Sequence, residues 1–242
     1  MNRLLTFTVG LAVLFSSQGG QAAAVLSTGL GNGADAYGNV SHATSYGASP
    51  HIGVKHNSNR DNHRIAYFRF DLAQAPTTII GAALEMTFLE SSDFRSRTPK
   101  QYVVYGLDDG HPGEQWDEAT LTWSNAPARS DVWPAPAANP TEASVLGFFT
   151  IDNASAQEGD RISFSSDQLL SFLSSDTDGL VTLILARTTK DFGVEVFASK
   201  EHGSYPAPAL VLATPVPLPP AAGLLTIPVL LCVRGGVRSG SR

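Results

Sequence analysis

An all-β fold, an antiparallel β-sandwich or jelly roll carrying one short helix, follows from three observations. Charged residues make up only 16% of the chain while glycine occurs 22 times, a balance that favours strands and turns over long helices. Apolar segments recur through the middle of the chain at the short spacing of sandwich strands. Turn signals, Asp108-Asp109-Gly110 and Asp178-Gly179, separate some of them.

The clearest strand is Arg64 to Asp71, in which Ala66, Phe68 and Phe70 share one face and Ile65, Tyr67, Arg69 and Asp71 the other. Phe68 and Phe70 are expected in the core. A longer apolar run covers Ile79 to Glu90, and Gln101 to Leu107 alternates around Tyr102, Val104 and Gly106. Further strands are expected at Ser144–Ile151, Asp160–Phe164, Leu180–Arg187, Gly193–Ser199 and Pro208–Ala213. The helix falls at about Asp167 to Ser174. Ser165 or Ser166 caps it, Asp167 suits its positive end, and Leu169, Leu170, Phe172 and Leu173 form its apolar face.

The two ends carry a different kind of information. Met1-Asn2-Arg3 is positively charged, Leu4 to Phe15 is apolar, and Ala22-Ala23-Ala24 offers a small-x-small cleavage pattern. This order predicts a secretory signal peptide over residues 1–24, removed by signal peptidase, and leaves a domain over residues 25–213. At the other end, residues 214–242 run from a proline-rich hinge into an apolar stretch, Ala221 to Val233, and then a tail holding Arg234, Arg238 and Arg242. Nothing acidic follows Glu201. As a helix, that stretch of about 13 residues spans roughly 20 Å against a hydrocarbon core of roughly 30 Å. Pro228 interrupts it as well, so it suits transient membrane contact rather than permanent anchorage. The segment Val216-Pro217-Leu218-Pro219-Pro220-Ala221-Ala222 resembles the PEP-CTERM sorting signals of bacterial envelope proteins. The resemblance implies export, a cell-surface or extracellular location, processing by an exosortase-type protease and a setting rich in exopolysaccharide.

Between the ends lie roughly 190 residues, enough for one well-cored domain. The single cysteine, Cys232, sits in the tail, so the domain has no disulfide and relies on its core, a bound metal or both. A net charge of −6 argues against nucleic acid as a partner. The chain contains no Gly-x-Ser-x-Gly elbow, no His-Glu-x-x-His and no phosphate loop, and no catalytic constellation stands out, so a non-enzymatic role is expected.

Several segments resemble, in order and spacing, a DNRLRE domain related to carbohydrate-binding module family 96. They are Ala34-Asp35-Ala36-Tyr37, Tyr46-Gly47, Arg69-Phe70-Asp71-Leu72, Ile80-Gly81-Ala82-Ala83-Leu84, the tryptophan-rich Trp116 to Pro127, and Ser199-Lys200-Glu201. The resemblance covers about Ala34 to Ala213. It implies a secreted β-sandwich that binds polysaccharide, including uronate-rich polymers such as alginate. A purely structural envelope protein and a small polysaccharide-active enzyme are the alternatives.

Candidate site residues are few. Tyr67 and Arg69 share a strand face that, if open, lets Arg69 grip a uronate carboxylate, with Lys55, His56 and Arg64 extending the patch. The alternative pairs Arg69 with Asp71 or Glu201. Trp133, in the loop Asp131 to Pro140, is the expected exposed sugar platform, whereas Trp116 and Trp123 read first as core. Asp35, Asp71 and Glu201 supply hard oxygen ligands for a structural calcium. Asp176-Thr177-Asp178-Gly179 begins like a helical calcium loop, but Arg187 stands at its closing ligand position, which makes it a turn. His42, His51, His56 and His63 match no zinc spacing and are expected at the surface.

Overall fold

The computed structural model describes residues 21–57, 61–92, 98–130 and 138–215. Eleven strands and one helix follow in order: β1 (Gln21–Ser27), β2 (Ala34–Asn39), β3 (His51–Val54), β4 (Arg64–Asp71), β5 (Gly81–Ser91), β6 (Lys100–Leu107), β7 (Ala143–Ile151), β8 (Arg161–Phe164), α1 (Asp167–Ser175), β9 (Leu180–Arg187), β10 (Glu195–Ala198) and β11 (Ala209–Pro215). They form two antiparallel sheets. One runs β1-β11-β5-β10-β3, with β8 also paired to β5; the other runs β2-β4-β9-β6-β7. The predicted all-β sandwich with one helix is the observed fold.

Alternation along β4 decides what lies on each side of the second sheet. Phe68 and Phe70 point into the space between the sheets, where they meet Leu84, Met86 and Phe88 of β5 and Leu210 and Leu212 of β11. Each such side chain contributes about 1.5–3 kcal/mol by leaving water. Ile65 and Tyr67 point the other way and are equally buried. They belong to a second apolar layer formed with Val103, Tyr105, Ile184, Trp116, Leu121 and Trp123. The segment between β6 and β7 therefore lies over the outer face of the five-stranded sheet. A sheet covered on both faces has apolar residues at consecutive positions, as in Ile65-Ala66-Tyr67-Phe68.

The helix begins where its cap predicts. Ser166 Oγ accepts the amide of Leu169 at 2.9 Å and donates to the Leu146 carbonyl at 2.7 Å. Asp167 stands in the first turn, and Leu169 and Leu173 are buried.

Three strands go beyond the sequence expectation. β1 lies largely inside the predicted signal peptide, β2 is buried at every position, and β3 has only four residues. The expected cleavage after Ala24 falls within β1, whose residues 21–27 pair with β11. Residues 1–20 and 216–242, including Val216, Pro217, Leu218 and Pro219 of the sorting motif, lie outside the described residues.

Candidate functional site

Lys55 follows β3 and Arg64 opens β4. The two form an isolated antiparallel bridge, with backbone hydrogen bonds of 3.1 and 3.0 Å in the two directions. Residues opposed in this way project to the same face. Gly53 makes room for the arginine: a Cβ added there would sit 3.1 Å from an Arg64 guanidinium nitrogen. The guanidinium lies over the ring of Tyr37, 5.6 Å from its centroid. Tyr37 in turn stacks on Tyr46 at 4.2 Å and 15°. Tyr37 is buried, whereas Lys55, Tyr46 and Arg64 are half-buried. Burial lowers the Lys55 pKa, and the positive charges of Arg64 and Arg187 lower it further, against a smaller pull from Glu195. The Glu195 carboxylate is already paired with Arg187. Among the described residues, no carboxylate is hydrogen-bonded or ion-paired to the side chain of Lys55 or Arg64. The result is a cationic pair beside a tyrosine stack at the strand ends.

Tyr67 and Arg69 occupy the opposite face of β4 from Arg64 and are not part of this cluster. Tyr67 is fully buried, its ring edge-on to Trp116 at 6.1 Å, and burial pushes its phenol far above the ordinary value. It packs a core rather than meeting solvent, because the tryptophan segment covers the face that the sequence reading left open. Arg69 is a clamp on that segment. Its Nε donates to the Asn32 carbonyl at 2.8 Å, Nη1 donates to the Trp116 carbonyl at 2.5 Å, and the guanidinium stacks 5.1 Å from the Trp116 ring. Burial lowers its pKa, opposed by Glu118 and Asp117. It pairs with neither Asp71 nor Glu201. Trp116 and Trp123 are buried as expected, and the Trp116 indole donates to Thr182 Oγ1 at 3.1 Å. Trp133 lies outside the described residues.

The expected acidic trio separates. Asp71 is held by the Asn32 amide at 2.9 Å, the Asn32 side chain at 3.2 Å and the Ala73 amide at 2.9 Å, and these bonds lower its pKa. Asp35 and Glu201 do converge, but their third partner is Glu118; one oxygen from each lies within 4.8 Å of the others. Glu118 lies in the tryptophan segment, 83 positions from Asp35, and its convergence with Asp35 and Glu201 is not legible in sequence order. Close fit holds Glu118 in place: Ser45 Oγ donates to its carbonyl at 3.0 Å, and a Cβ on Gly47 would lie 2.0 Å from that same oxygen.

A second acidic group joins Asp109, Asp176 and Asp178. Glu114 is buried near Asp178, and burial, followed by the negative charge of Asp178, pushes its pKa up to about 7. The Asp176–Gly179 segment is a turn as expected, the Gly179 amide donating to Asp176 at 2.8 Å. The histidines divide. His42 and His51 are exposed, but His56 and His63 are buried, 5.2 Å apart and edge-on, with His63 also 5.5 Å from Trp123. Their burial follows from the second apolar layer, which reaches them through Trp123.

The geometry is thus a two-sheet antiparallel sandwich with a charged and aromatic cluster at its strand ends. The model of carbohydrate-binding module family 96 matches residues 28–168, more than half of the chain, and the chain belongs to that family. No curated protein matches it in sequence. Among solved structures it is similar to a latent aurone synthase (polyphenol oxidase) from a natural source, at 13% identity and a TM-score of 0.36. The match covers 75% of this chain and 29% of that one.

Proposed function

We propose that this is an exported, non-catalytic protein of the cell surface or extracellular matrix whose sandwich binds polysaccharide, with uronate-rich chains as the preferred ligand. Family membership supports carbohydrate as the ligand class. The observation that carries the acidic preference is the Lys55–Arg64 pair: two cations directly opposed, half-buried, with no carboxylate bonded to them among the described residues. Like charges so placed repel, and an anionic ligand relieves the repulsion. A uronate carboxylate matches the planar fork of Arg64, and the exposed part of Tyr46 offers a surface for an apolar sugar face. Signal peptidase and an exosortase-type protease are the processing partners that the two chain ends suggest, and the tail provides transient membrane contact. No helix among the described residues is long and apolar enough to cross a membrane.

The test is affinity electrophoresis and calorimetry against alginate, polygalacturonate and a neutral glucan, with the wild type, Lys55→Ala and Arg64→Ala. Loss of a charge-assisted hydrogen bond costs about 1.5–3 kcal/mol, so each variant is expected to bind uronate polymers at least about tenfold more weakly. Uronate binding is also expected to fall as salt rises. Absence of uronate binding, or equal binding by wild type and both variants, overturns the proposal. Release of new reducing ends or unsaturated products would overturn its non-catalytic part.

A further inference from the structure

Three carboxyl groups from distant parts of the chain meet beside β2. Asp35 comes from β2 itself, Glu118 from the segment over the outer face, and Glu201 from the connection between β10 and β11. Convergence of acids is common, but here two oxygens are also stranded. Asp35 is fully buried; its Oδ2 accepts from Thr28 Oγ1 at 2.5 Å and from the Lys200 amide at 3.0 Å, while its Oδ1 has no hydrogen-bond partner. Glu201 Oε2 is likewise shielded from solvent and unpartnered. Taking anionic oxygens out of water with nothing donating to them is costly.

The nearby positive charge does not balance the group. Lys200 places its ammonium 2.8 Å from Glu118 and against Glu201, one cation among three carboxylates. A divalent ion would supply the missing charge at a point where one oxygen of each carboxylate lies within 4.8 Å of the others. An all-oxygen ligand set suits a hard cation, and calcium accepts irregular carboxylate geometry more readily than magnesium does.

We propose that Asp35, Glu118 and Glu201 form a calcium site, with Lys200 sharing two of the three carboxylates. The ion ties β2, the tryptophan segment and the β10–β11 connection together, a role that disulfides fill in other exported domains. Calcium therefore competes with the Lys200 ammonium for Glu118 and Glu201.

The experiment is calcium titration by calorimetry, with thermal melting in calcium and in chelator, on the whole protein at about pH 8. Calcium is expected to bind and to raise the melting temperature. Glu118→Gln and Asp35→Asn are expected to lose that shift. Lys200→Gln is expected to keep calcium binding or tighten it. An unchanged wild-type melting temperature between saturating calcium and chelator overturns the proposal. So does binding that survives in Glu118→Gln but disappears in Asp178→Asn, which would place the ion at the Asp109–Asp176–Asp178 group instead. Should Asp35→Asn not fold, the wild-type melting and Glu118→Gln still decide the matter.

Discussion

Arg187 and Glu195 form an ion pair in the protein interior, with neither side chain exposed to solvent. The arginine also donates to the backbone carbonyls of His56 at 3.3 Å and Asp191 at 2.9 Å. Glu195 accepts from Ser91 at 3.3 Å and Asn153 at 3.2 Å. Removing one partner strands the other, so Arg187→Met is expected to cost about 3–5 kcal/mol in urea unfolding. Replacing both residues with apolar side chains of similar volume is expected to recover much of that loss. An Arg187→Met variant as stable as wild type would mean that the pair carries no such coupling.

The two arginines of β4 are expected to behave as opposites. Arg69→Ala removes the clamp on Trp116 and should lower unfolding stability by about 1–3 kcal/mol, leaving uronate affinity within about twofold. Arg64→Ala should do the reverse: affinity falls while stability changes by less than about 1 kcal/mol. Measuring both quantities on both variants checks the assignment, and a uronate-binding defect in Arg69→Ala with Arg64→Ala unaffected would reverse it.

Trp116 is expected to be a stability residue. Trp116→Ala should cost about 3–5 kcal/mol, as large-to-small changes in cores do. Trp116→Phe keeps part of the packing but frees Thr182 of its indole donor, and about 1–3 kcal/mol is the expected loss. Denaturant unfolding followed by near-ultraviolet circular dichroism reports both.

Asp35 makes stability depend on pH in a calculable direction. Its folded pKa of about 7 lies above the ordinary 3.8, so between those values the folded protein keeps a proton that the unfolded chain has released. Without calcium, this group's contribution is greatest at low pH and is lost as pH rises from about 4 to about 7. Melting curves in chelator across that range should show the wild type losing stability relative to Asp35→Asn as pH increases. A constant difference between the two proteins would refute the assignment.

How far the sequence could be read depended on local pattern. β4 and β9 match their expected limits to the residue, because Arg64–Asp71 and Leu180–Arg187 are apolar runs bounded by charge. β2 shows no alternation, since Ala34-Asp35-Ala36-Tyr37-Gly38-Asn39 is buried on both faces and built of small or polar side chains. β1 was hidden by residues that equally fit a cleavage site. Alternation assigned Tyr67 and Arg69 to one face, but only the folded chain reveals that Trp116 and Trp123 cover it. Lys55 and Arg64 were legible as charges; their direct opposition is a matter of pairing between segments. Asp35 and Glu118 lie 83 positions apart, joined by a hydrogen bond from the Asp35 amide to Glu118 Oε1 at 2.9 Å, a contact that local pattern does not encode.

The pairing of β1 with β11 has an engineering consequence. Gln21 stands directly across from Pro215, so the chain enters and leaves this domain about 5 Å apart, at one corner. The domain can thus be spliced as a single insert into a surface turn of another protein, its two joints no wider than a hairpin. By the same geometry a short linker from Pro215 back to Gln21 would close the chain into a ring, and new termini opened at the Asp109-Gly110 turn, between β6 and β7, would interrupt no strand.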